Sequence, residues 1–370
     1  MSFSRSRVSV FDVLAAATAI ALLIFFPQIA LAQGRTGDVY VLTNQSSGNS
    51  VMVFHRGTDG TLTFVSSFAT GGNGAGSGAD PLGSQGSLVL SEDHRLLFAV
   101  NAGSNSISAF GVSGDKLTLL DTISSGGTRP VSLTVRENLV YAVNAGGTPN
   151  ISGFSIESAT NHLVPLAGST QNLPGGASAG PAQVSFSPDG SVLVVTEKGT
   201  NLIDAFTVNE NGVAQPGVSF PSNGGTPFGF VFGHDNIAIV SDAAESALTS
   251  YKVSDGGEVD LITPALTNGG RAACWAAAPR NGRFAFSANS GSKTISSYTV
   301  SEDGSLALLN AVAATTNVPL DMAFTADSRF FYVRNADGTV TGFRLEADGS
   351  ITPVANASGL PAGSQGIAAR

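Results

Sequence analysis

The sequence predicts an all-β protein, a seven-bladed β-propeller closed by pairing a C-terminal inner strand with the N-terminal hairpin. Three observations carry this. A hairpin phrase recurs seven times along the chain, the composition suits strands and tight turns, and each end of the chain lacks the strand that the other end supplies.

The phrase is plainest at Phe98–Phe110, "FAVNAGSNSISAF", and at Tyr141–Phe154, "YAVNAGGTPNISGF". Looser copies end at Phe54, Phe206, Tyr251, Tyr298 and Phe343. Each copy is an alternating apolar run, a short polar turn, and a second alternating run closed by an aromatic. The steps between the seven closing aromatics are 56, 44, 52, 45, 47 and 45 residues. Alternation at period two marks strands, and a hairpin repeated at that interval marks a propeller of four-stranded blades. The phrase is then the hairpin between strands b and c of a blade.

The remaining strands follow. Ahead of each hairpin stands a short strand ending in a tight turn, as in "AQVSFSPDGS" from Ala182. After it comes a polar turn and an outer strand, as in "SEDGSLALLNAV" from Ser301. Asp-Gly in these turns meets the need for positive φ. The first hairpin, from Asp38, has no inner strand before it, and the final "PAGSQGIAAR" has no hairpin after it. Joining the two leaves the ring without an open edge.

Composition agrees. The 370 residues are 42% apolar and only 12% charged, with 45 Gly and 16 Pro. Such a chain has ample apolar material for a core and lacks the balance of a disordered one. Cys274 is the only cysteine, which excludes an internal disulfide and reads as a small buried residue beside Trp275.

The N-terminus reads separately. Arg5 and Arg7 precede an apolar run, Val13–Phe26, and then Ala30 and Ala32 in A-x-A spacing. This is the layout of a secretory signal peptide over residues 1–32, with a propeller domain over 33–370 and a secreted or periplasmic protein as the outcome. The run is too short for a stable spanning helix, so no membrane insertion is expected after cleavage. From residue 33 onward, 16 Lys and Arg against 26 Asp and Glu leave a net charge of −10. An acidic surface without a basic patch argues against nucleic acid as a partner. The expected partner is a small molecule, and the expected state a monomer.

Propeller topology places the b–c turns and the d–a connectors on one face, at the mouth of the central channel. Candidate ligand-facing residues there are Asn101, Asn144, Glu197, Gln183, Arg129 and Arg271. A carboxylate at a partly enclosed mouth suits acid–base work, so Glu197 is the candidate catalytic residue. The four histidines, His55, His94, His162 and His234, fall on other turns, and neither a metal site nor a cofactor is expected. The Gly-rich "TGGNGAGSGADP" from Thr70 opens no helix, so it reads as a long d–a connector and not as a phosphate-binding loop.

The phrase "SPDGSVLVVTEKGTNLIDAF" (Ser187–Phe206), with "NAGSNSISAF" and the "SEDGSL" and "EADGSI" turns, resembles the lactonase family of seven-bladed propellers. That family includes 6-phosphogluconolactonases and carboxymuconate lactonising enzymes. The repeats are also similar to the YVTN-type propellers of cell-surface proteins. The resemblance to the lactonases implies a site on the mouth face and a small anionic lactone or its acid as ligand. Glu197 matches the family's turn carboxylate. The family's Arg-His pair falls on Ala182-Gln183, its His-Pro-His on Arg129-Pro130-Val131, and a later Arg on Ser290. Arg129 and Arg271 stand as replacement cations that would bind the carboxylate. The alternative reading is a binding propeller of the same fold without catalysis.

Overall fold

The computed structural model describes residues 1–3 and 36–370. The chain divides into two compact units, Met1–Gln33 and Gly34–Arg370. The signal-peptide reading falls on residues outside the described ones. Among the described residues no helix is long and apolar enough to cross a membrane.

The second unit holds seven antiparallel sheets arranged as the blades of a propeller. Blade 1 takes its strands from both ends of the chain: Ile367–Ala369 innermost, then Gly37–Leu42, Ser50–Arg56 and Leu62–Ala69. In blades 2 to 7 the four positions follow chain order from the inner strand outward. The other inner strands are Leu88–Leu90, Thr128–Arg136, Pro181–Phe186, Pro227–Phe232, Ala273–Ala277 and Pro319–Phe324. Each inner strand touches the next around the ring, and Ile367–Ala369 touches both of its neighbours. The closure therefore has the expected form, with Ala369 opposite Val39, Ala368 opposite Tyr40 and Ile367 opposite Val41.

The hairpin phrase has a packing reason. Its closing aromatics, Phe54, Phe110, Phe154, Phe206, Tyr251, Tyr298 and Phe343, are all at most 3% exposed. They contribute to core clusters that lie mainly between adjacent blades, such as Phe206 with Tyr141 and Val143 of the preceding blade. Burying each ring contributes roughly 1.5–3 kcal/mol, so the repeat marks the layers that hold one blade to the next. The tight turns are locked by their own Asp. In Ser187–Gly190, Asp189 accepts from the Ser187 hydroxyl at 2.6 Å and from the Ser191 N–H at 3.0 Å, while Gly190 takes φ +80°.

Blade 3 departs from the pattern. Two short segments, Leu163–Pro165 and Gln171–Asn172, share the outer position and both pair with Asn150–Ile156. Pro165 has no N–H to continue a ladder, and Gly168 turns the chain through φ +78°.

Candidate functional site

The mouth is built where the b strands end, and the side chains there sort by parity. At or near the end of strand b in blades 2 to 7 stand Asn101, Asn144, Glu197, Asp242, Asn289 and Asn335, all fully buried. These side chains reach strand c of their own blade. Asn101 Nδ2 donates to Ser108 Oγ at 2.8 Å, Asn289 Nδ2 to Ser296 Oγ at 2.8 Å, and Asn144 Nδ2 to Asn150 Oδ1 at 2.9 Å. The expected placement of Asn101 and Asn144 toward a ligand is thus corrected. They lock hairpins, since a buried amide needs its partners inside the blade.

Glu197 is placed in the same way. Its carboxylate has no exposure; it accepts from the Gly175 N–H at 3.1 Å and from the Thr200 hydroxyl. It does not face the channel mouth. Asp204, on the neighbouring strand, is held up to about 8, first by burial and then by Glu197. Two carboxyls this close in a dry blade cannot both ionise, so Asp204 keeps its proton. Gln183 is also turned away from a ligand. Its amide exchanges two hydrogen bonds with the backbone of Phe230, at 2.9 and 2.8 Å, and so ties the inner strands of blades 4 and 5.

Burial also holds Asp242 and Asp321 at about 7. All three carboxyls have folded values above the ordinary 3.8, so their contribution to stability is complete below that pH and is lost as pH rises through 7 to 8. The lowered value of half-buried His94 acts in the opposite sense below pH 6.5, but it is one group against three. The thermal midpoint should therefore fall between pH 5 and pH 8. A midpoint that is flat or rises over that range would contradict this assignment.

Arg129 and Arg271 are exposed on the rim. Arg129 donates to the Pro81 carbonyl at 2.8 Å, and Arg271 has a long contact of 3.4 Å to the Gly291 carbonyl. The connector from Thr70 to Ser87 covers the mouth and enters the channel. Ser84 Oγ donates to the Val131 carbonyl at 2.8 Å, and Trp275 Nε1 donates to the Ser84 carbonyl at 3.0 Å. The Gln85 N–H donates to the Ala182 carbonyl at 3.1 Å, and the Gln85 amide crosses to both backbone groups of Ala276. One segment thereby touches blades 3, 4 and 6. Gly83 and Gly86, at φ +62° and +77°, permit the turns this path requires.

Asp80 of the connector forms a charged cluster with Lys198, Arg334 and Asp321, which the sequence reading did not assign. Lys198 Nζ donates to the carbonyls of Gly83 at 2.5 Å and Pro181 at 3.1 Å, and stands 5.0 Å from the centre of the Phe228 ring. Burial brings it down to about 8, against the pull of Asp80. Arg334 is fully buried and is brought down to about 10 by burial, opposed by Asp80 and Asp321. Among the described residues, its Nη1 has only a 3.4 Å contact to the Ala79 carbonyl, and Nε and Nη2 have no partner. Asp80 is raised by burial, opposed first by its hydrogen bond from Gln365. Asp321 sits at φ +84°, a costly conformation for a residue with a Cβ.

Neighbouring acid and base groups with values moved toward neutrality are what proton transfer requires, and buried guanidinium donors suit a carboxylate or an oxyanion. Cys274 lies near this cluster, but burial pushes its thiol up to about 12, which leaves it a packing residue. The sequence held one signal for Arg334. The slot before the buried Asn, Glu or Asp of strand b carries Val100, Val143, Thr196, Ser241 and Ala288 in blades 2 to 6, and an Arg only in blade 7.

Residues 35–175 match the family model described as "Lactonase, 7-bladed beta-propeller". No curated protein matches the chain. Among solved structures, the periplasmic gluconolactonase PpgL of Pseudomonas aeruginosa is 17% identical and superposes with a TM-score of 0.69, over 90% of this chain and 99% of that one. A protein from Lactobacillus plantarum is 19% identical with a TM-score of 0.70, over 90% and 99%. A virginiamycin B lyase from Staphylococcus aureus is 15% identical with a TM-score of 0.51, over 72% and 83%. At these identities the structures speak to fold alone. They show a seven-bladed β-propeller, and over residues 35–175 the chain is similar to the lactonase family of such propellers.

Proposed function

We propose that the protein is an exported lactonase-type propeller that hydrolyses a small anionic lactone at the channel mouth. The observation that carries this reading is the fully buried Arg334, with two N–H groups unfilled beside Lys198 and Asp80. Such donors are costly to bury unless a partner arrives, and a carboxylate or a developing oxyanion fits them. A neutral Lys198 amine would spend its two hydrogens on the carbonyls of Gly83 and Pro181. Its lone pair is then left to take a proton. In the proposed step, that lone pair accepts a proton from water as the water oxygen bonds to the lactone carbonyl carbon. The ring C–O bond breaks, and the proton passes to the leaving alkoxide to give the hydroxy acid. Arg129, and Arg271 if the ligand extends that far, add charge at the rim.

This reading moves the proton-transfer role from Glu197 to Lys198, because the Glu197 carboxylate is already occupied by the Gly175 N–H and the Thr200 hydroxyl inside its blade. The test is a panel of sugar-acid lactones and muconolactones offered to the purified protein. Saturable hydrolysis is expected, with KM raised about tenfold or more in Arg334→Met and less in Arg129→Ala. Absence of turnover across the panel, with saturable binding of the corresponding acids lost in Arg334→Met, would move the protein to the binding class.

Export rests on the Arg5/Arg7, Val13–Phe26 and Ala30-x-Ala32 layout. The periplasmic name of the Pseudomonas protein is consistent with it. N-terminal sequencing of the exported protein should begin at Gln33. A soluble protein in the cytoplasm still beginning at Met1 would contradict export.

A further inference from the structure

The opposite face of the propeller, away from the mouth, carries a funnel that the lactonase reading does not use. Its wide part is a cleft of about 750 Å³ lined by turns of blades 1, 2, 6 and 7 and by Arg370. Its narrow part is a cavity of about 260 Å³ lined by Ala276, Ala277, Met322 and Phe324, with Gln85 among its walls. His94, Arg280 and Ala326 line both parts, so the two meet at that collar. The Gln85 amide is bonded across to Ala276. The connector that carries it therefore stands between this funnel and the mouth cluster.

The chemistry of the collar is specific. Among the described residues, neither the Arg280 guanidinium nor the His94 ring has a hydrogen-bond or ion-pair partner. Yet Arg280 and Arg370 both lie near enough to His94 to add to the effect of burial in lowering its basicity. The acidic residues of the cleft are mostly engaged. Asp38 accepts from Arg370 at 3.0 and 2.5 Å, and Asp327 accepts from the Thr325 hydroxyl at 2.6 Å and the Arg329 N–H at 3.1 Å. Asp115 has no such partner among the described residues, but it lines only the wide part. Unpaired donors therefore gather at the throat, beside a cavity of mixed lining to which Ala276, Ala277, Met322 and Phe324 contribute apolar side chains.

We propose that this funnel is a second ligand site, for a small organic anion with an apolar body. Its carboxylate would sit between Arg280 and His94, with the hydrocarbon part against Met322 and Phe324. The size fits, since the narrow cavity holds a single ring or a short chain and not a nucleotide. Its separation from the mouth makes it an effector site or a binding site in its own right.

Cinnamate is a suitable probe, followed by calorimetry on the purified protein. Saturable binding at one site per chain is expected. It should weaken about tenfold or more in Arg280→Ala and in His94→Ala, and it should survive in Lys198→Met, which alters only the mouth. Arg280 is exposed, so its replacement should leave the melting temperature unchanged and the result readable. Cinnamamide, the same body without the charge, should bind at least about tenfold more weakly. No saturation with cinnamate, equal binding of the amide, unchanged affinity in Arg280→Ala, or loss of binding in Lys198→Met would each overturn the proposal.

Discussion

Removal of residues 363–370 should abolish cooperative folding. The segment is the inner strand of blade 1, paired with Val39, Tyr40 and Val41, and its Ile367, Ala368 and Ala369 are buried. The hydrogen bonds of Leu42 to Gly366 and Gln365, at 3.1 and 2.9 Å, go with it. So does the Gln365 amide, which accepts from the Leu82 N–H at 2.9 Å and donates to the Ser84 carbonyl at 3.2 Å. The Arg370–Asp38 ion pair, 3% exposed on the Asp38 side, would leave a carboxylate buried without its cation. Each loss costs on the order of 1–3 kcal/mol, against a total stability of about 5–15 kcal/mol. The ring would also open an edge between blades 7 and 2. Thermal or urea unfolding of the truncated protein should show no sharp transition. An unchanged melting temperature would refute the closure.

Lys198→Met should lower kcat by about 10²–10⁴-fold with little change in KM. Methionine keeps an unbranched stem to lie against Phe228, so the packing is largely preserved while the titrating nitrogen is lost. Lys198→Arg should be no better, because a guanidinium does not give up its proton near neutral pH. The folded state should survive both changes, since Lys198 is brought down by burial and its charge is not a source of stability there. Unchanged turnover in Lys198→Met, on whichever lactone proves to be the substrate, would remove Lys198 from the chemistry.

The propeller was legible in the chain because its signals are local and repeated: alternation at period two, Asp-Gly turns, and an aromatic at each hairpin's end. The missing strands at the two termini made the closure legible as well. The site was not, and the reason is one residue of parity. Neighbouring residues in a strand face opposite sides. The last residue of strand b, Glu197 or Asn335, turns into its own blade. The one before it turns toward the adjacent inner strand, as Thr196 does in donating to the Phe228 carbonyl at 2.5 Å, and Ser241 to the Cys274 carbonyl at 2.8 Å. Arg334 stands on that second side. Hairpin position identified the right stretch and the wrong face. Asp80 was hidden for a different reason. It lies in a connector that occurs once, with no repeat to align it, and its place at the mouth follows from contacts such as that with Gln365, 285 residues away.

The central claim is that an amine brought down to about 8 at the mouth does the proton transfer. The most direct measurement is the pH dependence of kcat/KM for lactone hydrolysis, corrected for the spontaneous reaction. The neutral amine is the active form, so activity should rise with pH and level off above a limb near pH 8, and Lys198→Met should erase that limb along with most of the rate. A wild-type profile without the limb, or a limb that persists in Lys198→Met, would contradict the account.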